Sequence, residues 1–306
     1  MINVDEMFNV LPSNIRNCLE DTKDIERLQE IRIKINKPII FQIGNEEVIG
    51  SYIPDSSDLK SVLQRISNYS IYAYEEEKKQ GYITIKGGHR VGICGSCVIQ
   101  DNVVKTIKDT GSINIRICRE ILHCSDKMVK YIVSGSNVQN TIIISPPKCG
   151  KTTLLRDITR NLSDGMKEYG FKGRKICVID ERSEIGASFN GIPQMNIGIR
   201  TDVLDNCPKS QGIMMAIRSM SPDVIVCDEI GTRKDMESIL TAVNCGVNII
   251  TTIHGAGIKD LYERIVFKEI IENKVFKRAV ILSCSKGVGT IECIYDLDKK
   301  TNVMEE

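Results

Sequence analysis

The sequence predicts an α/β protein: a larger C-terminal region on a mostly parallel sheet, preceded by a smaller α+β domain. Three observations carry this. From about residue 125 onward, strand-length apolar runs alternate with amphipathic helical patterns. Strands buried on both faces read as continuous apolar runs, and their alternation with helices implies a covered parallel sheet. Before about residue 120, apolar and polar residues alternate in short runs around glycine-rich turns, the pattern of half-buried strands. The 306 residues make about two domains at ~150 residues each, expected over 1–122 and 123–306.

Each element follows from its pattern. Met7, Val10, Leu11, Ile15 and Leu19 mark one amphipathic opening helix. Residues 28–35 alternate as a strand, 38–43 form a second, and Gly44-Asn45 turns the chain. Residues 57–69 read as a helix carrying Leu59, Val62, Leu63 and Ile66 on one face. Short strands are expected at 82–86, 89–94 and 97–104. A half-buried strand at 112–118 alternates Ile113, Ile115 and Ile117 with Asn114 and Arg116. In the second region a helix is expected at 126–133, a buried strand at 141–144 and a helix from Gly150 to about Leu162. Strands at 175–179, 224–227, 248–253 and 279–282 follow, separated by helices at 210–220, 234–244 and 260–273. The sequence holds no internal repeat and no low-complexity tract.

Composition narrows the function. Hydrophobic residues make 42% and charged residues 26%, values of a globular protein with a sizeable core. Lys+Arg number 41 against 40 Asp+Glu. A formal charge of +1 argues against a global electrostatic grip on nucleic acid or acidic lipid, though a local basic patch stays open. The basic runs 172–175 and 299–300 are too short to make that argument. No apolar run approaches the ~20 residues that cross a bilayer. The opening MINVDEMFNV is acidic and has no basic segment leading into a long apolar stretch, so no secretory signal is expected. The expected location is the cytoplasm. The 12 cysteines then read as reduced thiols, with Cys177, Cys227 and Cys245 acting as small hydrophobes in apolar segments.

The most specific motif is Ser145-Pro146-Pro147-Lys148-Cys149-Gly150-Lys151-Thr152-Thr153, between an apolar strand and a helix. That is the context of a phosphate-binding loop. Backbone amides and the helix dipole would draw the phosphates in. Lys151 would reach the β- and γ-phosphates of ATP, and the Thr152 hydroxyl would hold Mg²⁺. Ser145 stands where the pattern usually has glycine. Cys149 lies inside the loop, so bound ATP is expected to protect it from alkylation.

Three further strand ends carry polar groups to the edge where ligands bind in open α/β sheets. After the strand at 224–227 come Asp228, expected to hold Mg²⁺, and Glu229, expected to orient and activate the attacking water. After 175–179 come Asp180, Glu181, Arg182, Ser183 and Glu184, a cluster that could order Mg²⁺-bound water or share the base role, or be a solvated loop with an Arg–Glu pair. After 248–253 comes His254, with Thr252 nearby, placed to bond the γ-phosphate or the catalytic carboxylate.

In this order the phosphate loop, the DERSE box, IRSMSPDVIVCDEIGTRKDMESILTAVNCG and TTIHG resemble the secretion-type traffic ATPases. Within that superfamily the whole chain looks like the stage III sporulation protein AA family. The match covers roughly residues 80–295 and is most specific from Arg218 to His254, through Pro222-Asp223, Glu237, Ala242 and Gly246. The resemblance implies a RecA-like P-loop core, an N-terminal α/β domain and a homo-oligomer, usually a hexameric ring. It implies a cytosolic motor on the mother-cell side of a sporulation export apparatus, meeting the membrane through an integral membrane protein partner. It favours Glu229 as the base. The family often has Gly before that Glu, and Asp228 here leaves its own task open. The resemblance also implies arginines acting from a neighbouring subunit or the N-terminal domain. Arg182 and Arg200, expected near the C-terminal edge of the sheet, and Arg116 and Arg119, near the domain junction, are the candidates.

Two other readings compete. An ATP-dependent nucleic-acid motor is weakened by the balanced charge and by only 9 Tyr, 6 Phe and no Trp for stacking, so no direct nucleic-acid contact is expected. A nucleotide-gated scaffold without hydrolysis has Ser145 as its support and the complete Asp228-Glu229 pair against it. Cys94 and Cys97 have metal-like spacing, with Cys118, His123 and Cys124 downstream, but buried thiols are the expectation there. The run 75–79 reads as a solvated helical face.

Overall fold

The structure, a computed structural model, describes residues 4–20, 22, 24–67 and 75–304. The expected end of the third helix, Asn68 and Tyr69, lies outside the described residues. The chain divides into two compact units: Met1–Arg119 with Ala187–Gln194, and Glu120–Gly186 with Met195–Glu306. The sequence suggests a single boundary after residue 122, whereas the segment 187–194 returns to the first unit.

In the first unit the expected opening helix is two, α1 (Val4–Val10) and α2 (Ser13–Glu20). Pro12 separates them, because it lacks an N–H and biases Leu11 away from helical geometry. Strands β1 (Leu28–Lys34), β2 (Ile40–Ile43) and β3 (Glu46–Ile49) precede α3 (Ser56–Ile66). The Asp55 carboxylate caps α3 by accepting from the Ser57 and Asp58 amides. After α4 (Glu75–Gln80) come β4 (Tyr82–Ile85), β5 (His89–Gln100) and β6 (Val103–Arg116). The expected short strands at 89–94 and 97–104 and the strand at 112–118 are thus one long hairpin. Its turn, Asp101-Asn102, has both residues at positive φ (51° and 61°), as a type I′ turn needs. A bulge near Gly95 keeps the strands paired, and a Cβ there would sit 2.5 Å from the Lys108 carbonyl oxygen. The six strands form one antiparallel sheet ordered β3-β2-β1-β6-β5-β4. One face carries Ile31, Ile33, Phe41, Val91, Ile113 and Ile115 into a core shared with Ile15, Leu19, Leu59 and Val62.

The second unit opens with α5 (Asp126–Ile132) and a two-residue pairing of β7 (Val133–Ser134) with β8 (Asn137–Val138). Strand β9 (Thr141–Ser145) leads through the phosphate loop into α6 (Lys151–Asp164), and a small hairpin follows, β10 (Gly165–Met166) with β11 (Phe171–Lys172). Next come β12 (Ile176–Asp180), β13 (Thr201–Asp205), α7 (Lys209–Ser219), β14 (Val224–Cys227), α8 (Arg233–Asn244) and β15 (Asn248–His254). The expected helix at 260–273 is broken into α9 (Ile258–Glu263), a 3₁₀ turn and α10 (Lys268–Glu272), which lets Leu261, Phe267 and Ile270 all enter the core. Strands β16 (Arg278–Ser283), β17 (Thr290–Asp296) and β18 (Thr301–Asn302) close the unit.

The sheet order is β13-β12-β14-β15-β9-β16-β17-β18; the first six strands run parallel, β17 is antiparallel to β16 and β18 antiparallel to β17. Successive residues of the central strands enter opposite cores. Ile142 and Ile144 join one cluster and Ile143 the other; Ile249 and Ile250 divide in the same way. That division explains the continuous apolar runs. Among the described residues no helix is long and apolar enough to cross a membrane.

Candidate nucleotide site

Parallel strands end at one common edge, so the sheet order sets what stands beside what. Asp180 ends β12, Asp228-Glu229 follow β14, His254 ends β15 and Ser145 ends β9, in that lateral sequence. With strands ~4.8 Å apart, residues 151, 228 and 254 become neighbours across more than a hundred positions.

Beyond β9, the loop turns on two left-handed residues, Lys148 (φ 61°) and Gly150 (φ 82°), the latter capping α6. Alternation of this kind points successive amides into one concavity suited to an anion. Pro146 and Pro147 carry no N–H, so the available donors begin at Lys148. Ser145 is fully buried and its hydroxyl donates to the Pro146 carbonyl at 2.8 Å. It is not among the positive-φ residues, so the missing glycine imposes no backbone strain there. Thr152 and Thr153 follow in the first turn of α6, both half-buried.

Lys151 Nζ lies 3.2 Å from Glu229 Oε1 and 3.0 Å from His254 Nδ1. His254 Nε2 is 2.8 Å from the same Glu229 oxygen, and Arg182 Nη1 donates to Glu229 Oε2 at 3.1 Å. Burial raises the Glu229 carboxyl, but the Lys151 ammonium, His254 and Arg182 outweigh it and hold it below the usual carboxylate range. It therefore stays ionised near neutral pH. Glu229 also has φ 50°, a conformation worth about 1–3 kcal/mol of strain in a non-glycine residue. Two bonds from its amide hold it there, to Thr252 Oγ1 at 2.9 Å and Asp228 Oδ1 at 3.0 Å.

The Thr152 hydroxyl donates to Asp228 Oδ2 at 2.7 Å, and the Thr252 hydroxyl donates to the other carboxylate oxygen. A hydroxyl and a carboxylate meeting at the loop are hard oxygen donors of the kind Mg²⁺ takes while keeping several waters. Among the described residues there is no group of three or more His, Cys, Asp or Glu arranged for a metal. A site here would draw its remaining ligands from water and phosphate.

The acidic cluster after β12 separates into different tasks. Asp180 is buried and accepts from the amides of Glu184, Ile185 and Gly186. Burial raises its pKa more than those three bonds lower it. Arg156 of α6 donates to the Ile185 and Glu184 carbonyls at 2.6 and 2.7 Å, closing the same loop from the other side. Glu181 is turned to Lys209 in an ion pair. Glu184 is half-buried; its amide donates to Asp180 and its carbonyl accepts from Arg156. In this cluster the Arg182 side chain reaches Glu229.

Arg200 is a correction. It precedes β13, whose Thr201 pairs with Ile176 at the start of β12, so it stands at the N-terminal edge of the sheet. Its guanidinium donates to the Ser163 carbonyl at 2.8 Å. In the first unit Arg119 bonds the Leu28 and Glu26 carbonyls, and Arg116 is exposed on β6. Cys94, Cys97 and Cys245 are exposed rather than buried, while Cys177 and Cys227 are fully buried as expected for small hydrophobes. Cys149 is 5% exposed, so labelling it requires the loop to open.

Arg156 was not foreseen from the sequence, and Asp180 and Thr252 were named there without these tasks: Asp180 and Arg156 shape the 180–186 loop, and Thr252 positions both acidic residues. The loop between β16 and β17 was not foreseen either. Its Gly289 amide donates to the Cys149 carbonyl at 3.1 Å, and Val288 lies 3.2 Å from where a Cβ on Gly150 would be. A cavity of ≈ 300 Å³, lined by apolar residues such as Leu261, Ile270 and Phe276 together with Lys274, Asp298 and Lys300, contains none of the candidate residues.

Residues 2–303 match the family model described as sporulation stage III, protein AA. The chain is 43% identical over 297 residues to "Stage III sporulation protein AA" of Bacillus subtilis (strain 168), covering 96% of each chain. Among solved structures it is similar to the Legionella pneumophila ATPase DotB, with TM-score 0.59 and 16% identity over 89% of this chain and 76% of that one. The pilus retraction motor PilT with bound ADP is similar at TM-score 0.58 and 16% identity, over 85% and 75% of the two chains. At such identity the likeness is one of fold, that of secretion-type P-loop ATPases.

Proposed function

The chain belongs to the sporulation stage III protein AA family, and we propose that it is an ATP-hydrolysing, Mg²⁺-dependent motor of a sporulation export apparatus. The observation that carries this reading is the meeting of Lys151, Glu229 and His254 beside the phosphate loop. Lys151 is a buried cation waiting on an ionised carboxylate. When ATP enters, its β- and γ-phosphates compete for the Lys151 ammonium, which leaves Glu229 to accept a proton from water. His254 then holds Glu229 Oε1 and senses whether Lys151 is engaged. Asp228 and Thr152 would hold Mg²⁺, which when bound neutralises charge on the phosphate oxygens. The structure's own donors orient everything else: Thr252 fixes Asp228 and Glu229, and Asp180 with Arg156 fixes the loop that carries Arg182.

Arg182 works within its own chain in this reading, through Glu229. Arg200, at the opposite sheet edge, could reach a phosphate only on a neighbouring subunit, as in the ring the family resemblance implies. A homo-hexameric ring, attached through an integral membrane protein on the mother-cell side, completes the proposal. Similarity to a chain named a pilus retraction motor and to one named an ATPase supports the motor reading.

Glu229→Gln tests it directly. The variant should bind a fluorescent ATP analogue normally while turnover falls about 10²–10⁴-fold. Turnover at the parent rate would end the assignment of Glu229 as base.

A further inference from the structure

We propose that Cys149 and Cys284 form an oxidisable dithiol that ties the phosphate loop to the β16–β17 loop. Four observations converge on this pair. Strand β16 runs parallel beside β9, with Ile281 opposite Ile144, so Cys284 emerges level with the phosphate loop. The two sulfurs lie 2.8 Å apart, and a disulfide bond of ~2.05 Å requires them to close by under about 1 Å. The two loops are already joined by the bond from the Gly289 amide to the Cys149 carbonyl. Access is asymmetric: Cys284 is exposed and Cys149 is 5% exposed, so an oxidant meets Cys284 first and Cys149 resolves.

The oxidant is a low-molecular-weight disulfide, R–S–S–R. The Cys284 thiolate attacks one of its sulfurs, the R–S–S–R bond breaks, and one RSH leaves with a proton. Cys149 then gives up its proton and attacks the Cys284 sulfur of the mixed disulfide, releasing the second RSH. The protein loses two electrons and two protons, and R–S–S–R gains both. In a reducing compartment such a bond is transient and acts as a sensor. Closure fixes the loop whose amides would meet the phosphates, at a residue two positions before Lys151. Its effect on turnover rests on the ATPase reading; the linkage itself does not.

The full chain is treated with oxidised glutathione and followed by intact mass, disulfide mapping and ATP turnover. A Cys149–Cys284 peptide lighter by two hydrogens than its two reduced peptides together, and a turnover loss of about tenfold, restored by dithiothreitol, are expected. Cys284→Ser should keep basal turnover and lose both the linkage and the sensitivity. Absence of the linked peptide while exposed thiols react would overturn the dithiol. A linked protein with unchanged turnover would overturn its control of the loop. If the reduced chain turns over no ATP, the mapping still decides the dithiol, and that failure belongs to the ATPase reading.

Discussion

In the first unit, strands adjacent in the sheet are mostly adjacent in the chain: β1, β2 and β3 are consecutive, as are β4, β5 and β6. Hairpins connect them within each trio, and where these strands are buried they bury alternate residues, as Ile31 and Ile33 against Arg32 and Lys34. In the second unit the chain crosses over helices between parallel strands, and every residue of β9, β12 and β14 is buried. A hairpin places its two strand ends at opposite edges of the sheet. A crossover returns each strand in one direction, so four separate segments deliver Ser145, Asp180, Asp228 and His254 to a single edge. In this chain it is the second arrangement that brings Lys151, Asp228, Glu229 and His254 together from distant sequence.

The sharpest test of that difference is at the edge itself. Lys151→Ala should lower turnover about 10²–10³-fold, the loss expected for one preorganised charge at a reacting phosphate. Steady-state hydrolysis checks it; the first unit should keep its far-UV signature.

Next in size is the burial pattern. Consecutive residues of β15, Ile249 and Ile250, face different cores. Each Ile→Ala change should cost about 2–5 kcal/mol in urea unfolding. In β1 the cost should alternate: Ile33→Ala in the same range, exposed Lys34→Ala within about 0.5 kcal/mol. A two-residue rhythm in β15 would break the comparison.

Acidification should separate the units by a smaller margin. Burial raises the carboxyls of Asp157 and Asp296, but the Ser125 bonds and Arg160 for the first, and the Lys299 amide and Arg278 for the second, hold both below the usual range. With Glu229, they contribute stability that is full above the unfolded carboxylate pKa of about 4 and is lost as pH falls through their lower native values. Asp180, shifted upward, contributes in the other sense, losing stability as pH rises through its native value. In the second unit Asp157, Glu229, Glu292 and Asp296 are held low against Asp180 held high, whereas among the described residues of the first unit Asp55 is the carboxyl held low. The second unit should be the more acid-sensitive, and thermal melts between neutral and acid pH would show its transition moving first. Smallest of all, Asn102→Gly at the positive-φ turn of β5–β6 should stabilise the first unit by about 0.5 kcal/mol in the same melts.

Strongly periodic or fully apolar segments were readable because their burial leaves a direct mark on residue choice. That holds for β9, β14, β15 and α8, and for the loop between β9 and α6. Elements whose residues are half-exposed left a weaker mark. Strand β13, at the sheet edge, has no fully buried residue and was missed. The outer part of the β5–β6 hairpin was read as separate pieces for the same reason. Arg200 was misplaced because β13 was: without that strand, nothing told which end of the sheet the preceding loop occupies.

The local geometry of this protein was written in its residues: the strand, the turn with left-handed positions and the helix that follows form from hydrogen bonds that run within a few positions. The pairing of groups was not. That His254 touches both Lys151 and Glu229 follows from β15 lying between β9 and β14. Strand order is a long-range choice settled by which faces pack together. The same choice turned Cys149 from a lone thiol in a loop into the partner of Cys284.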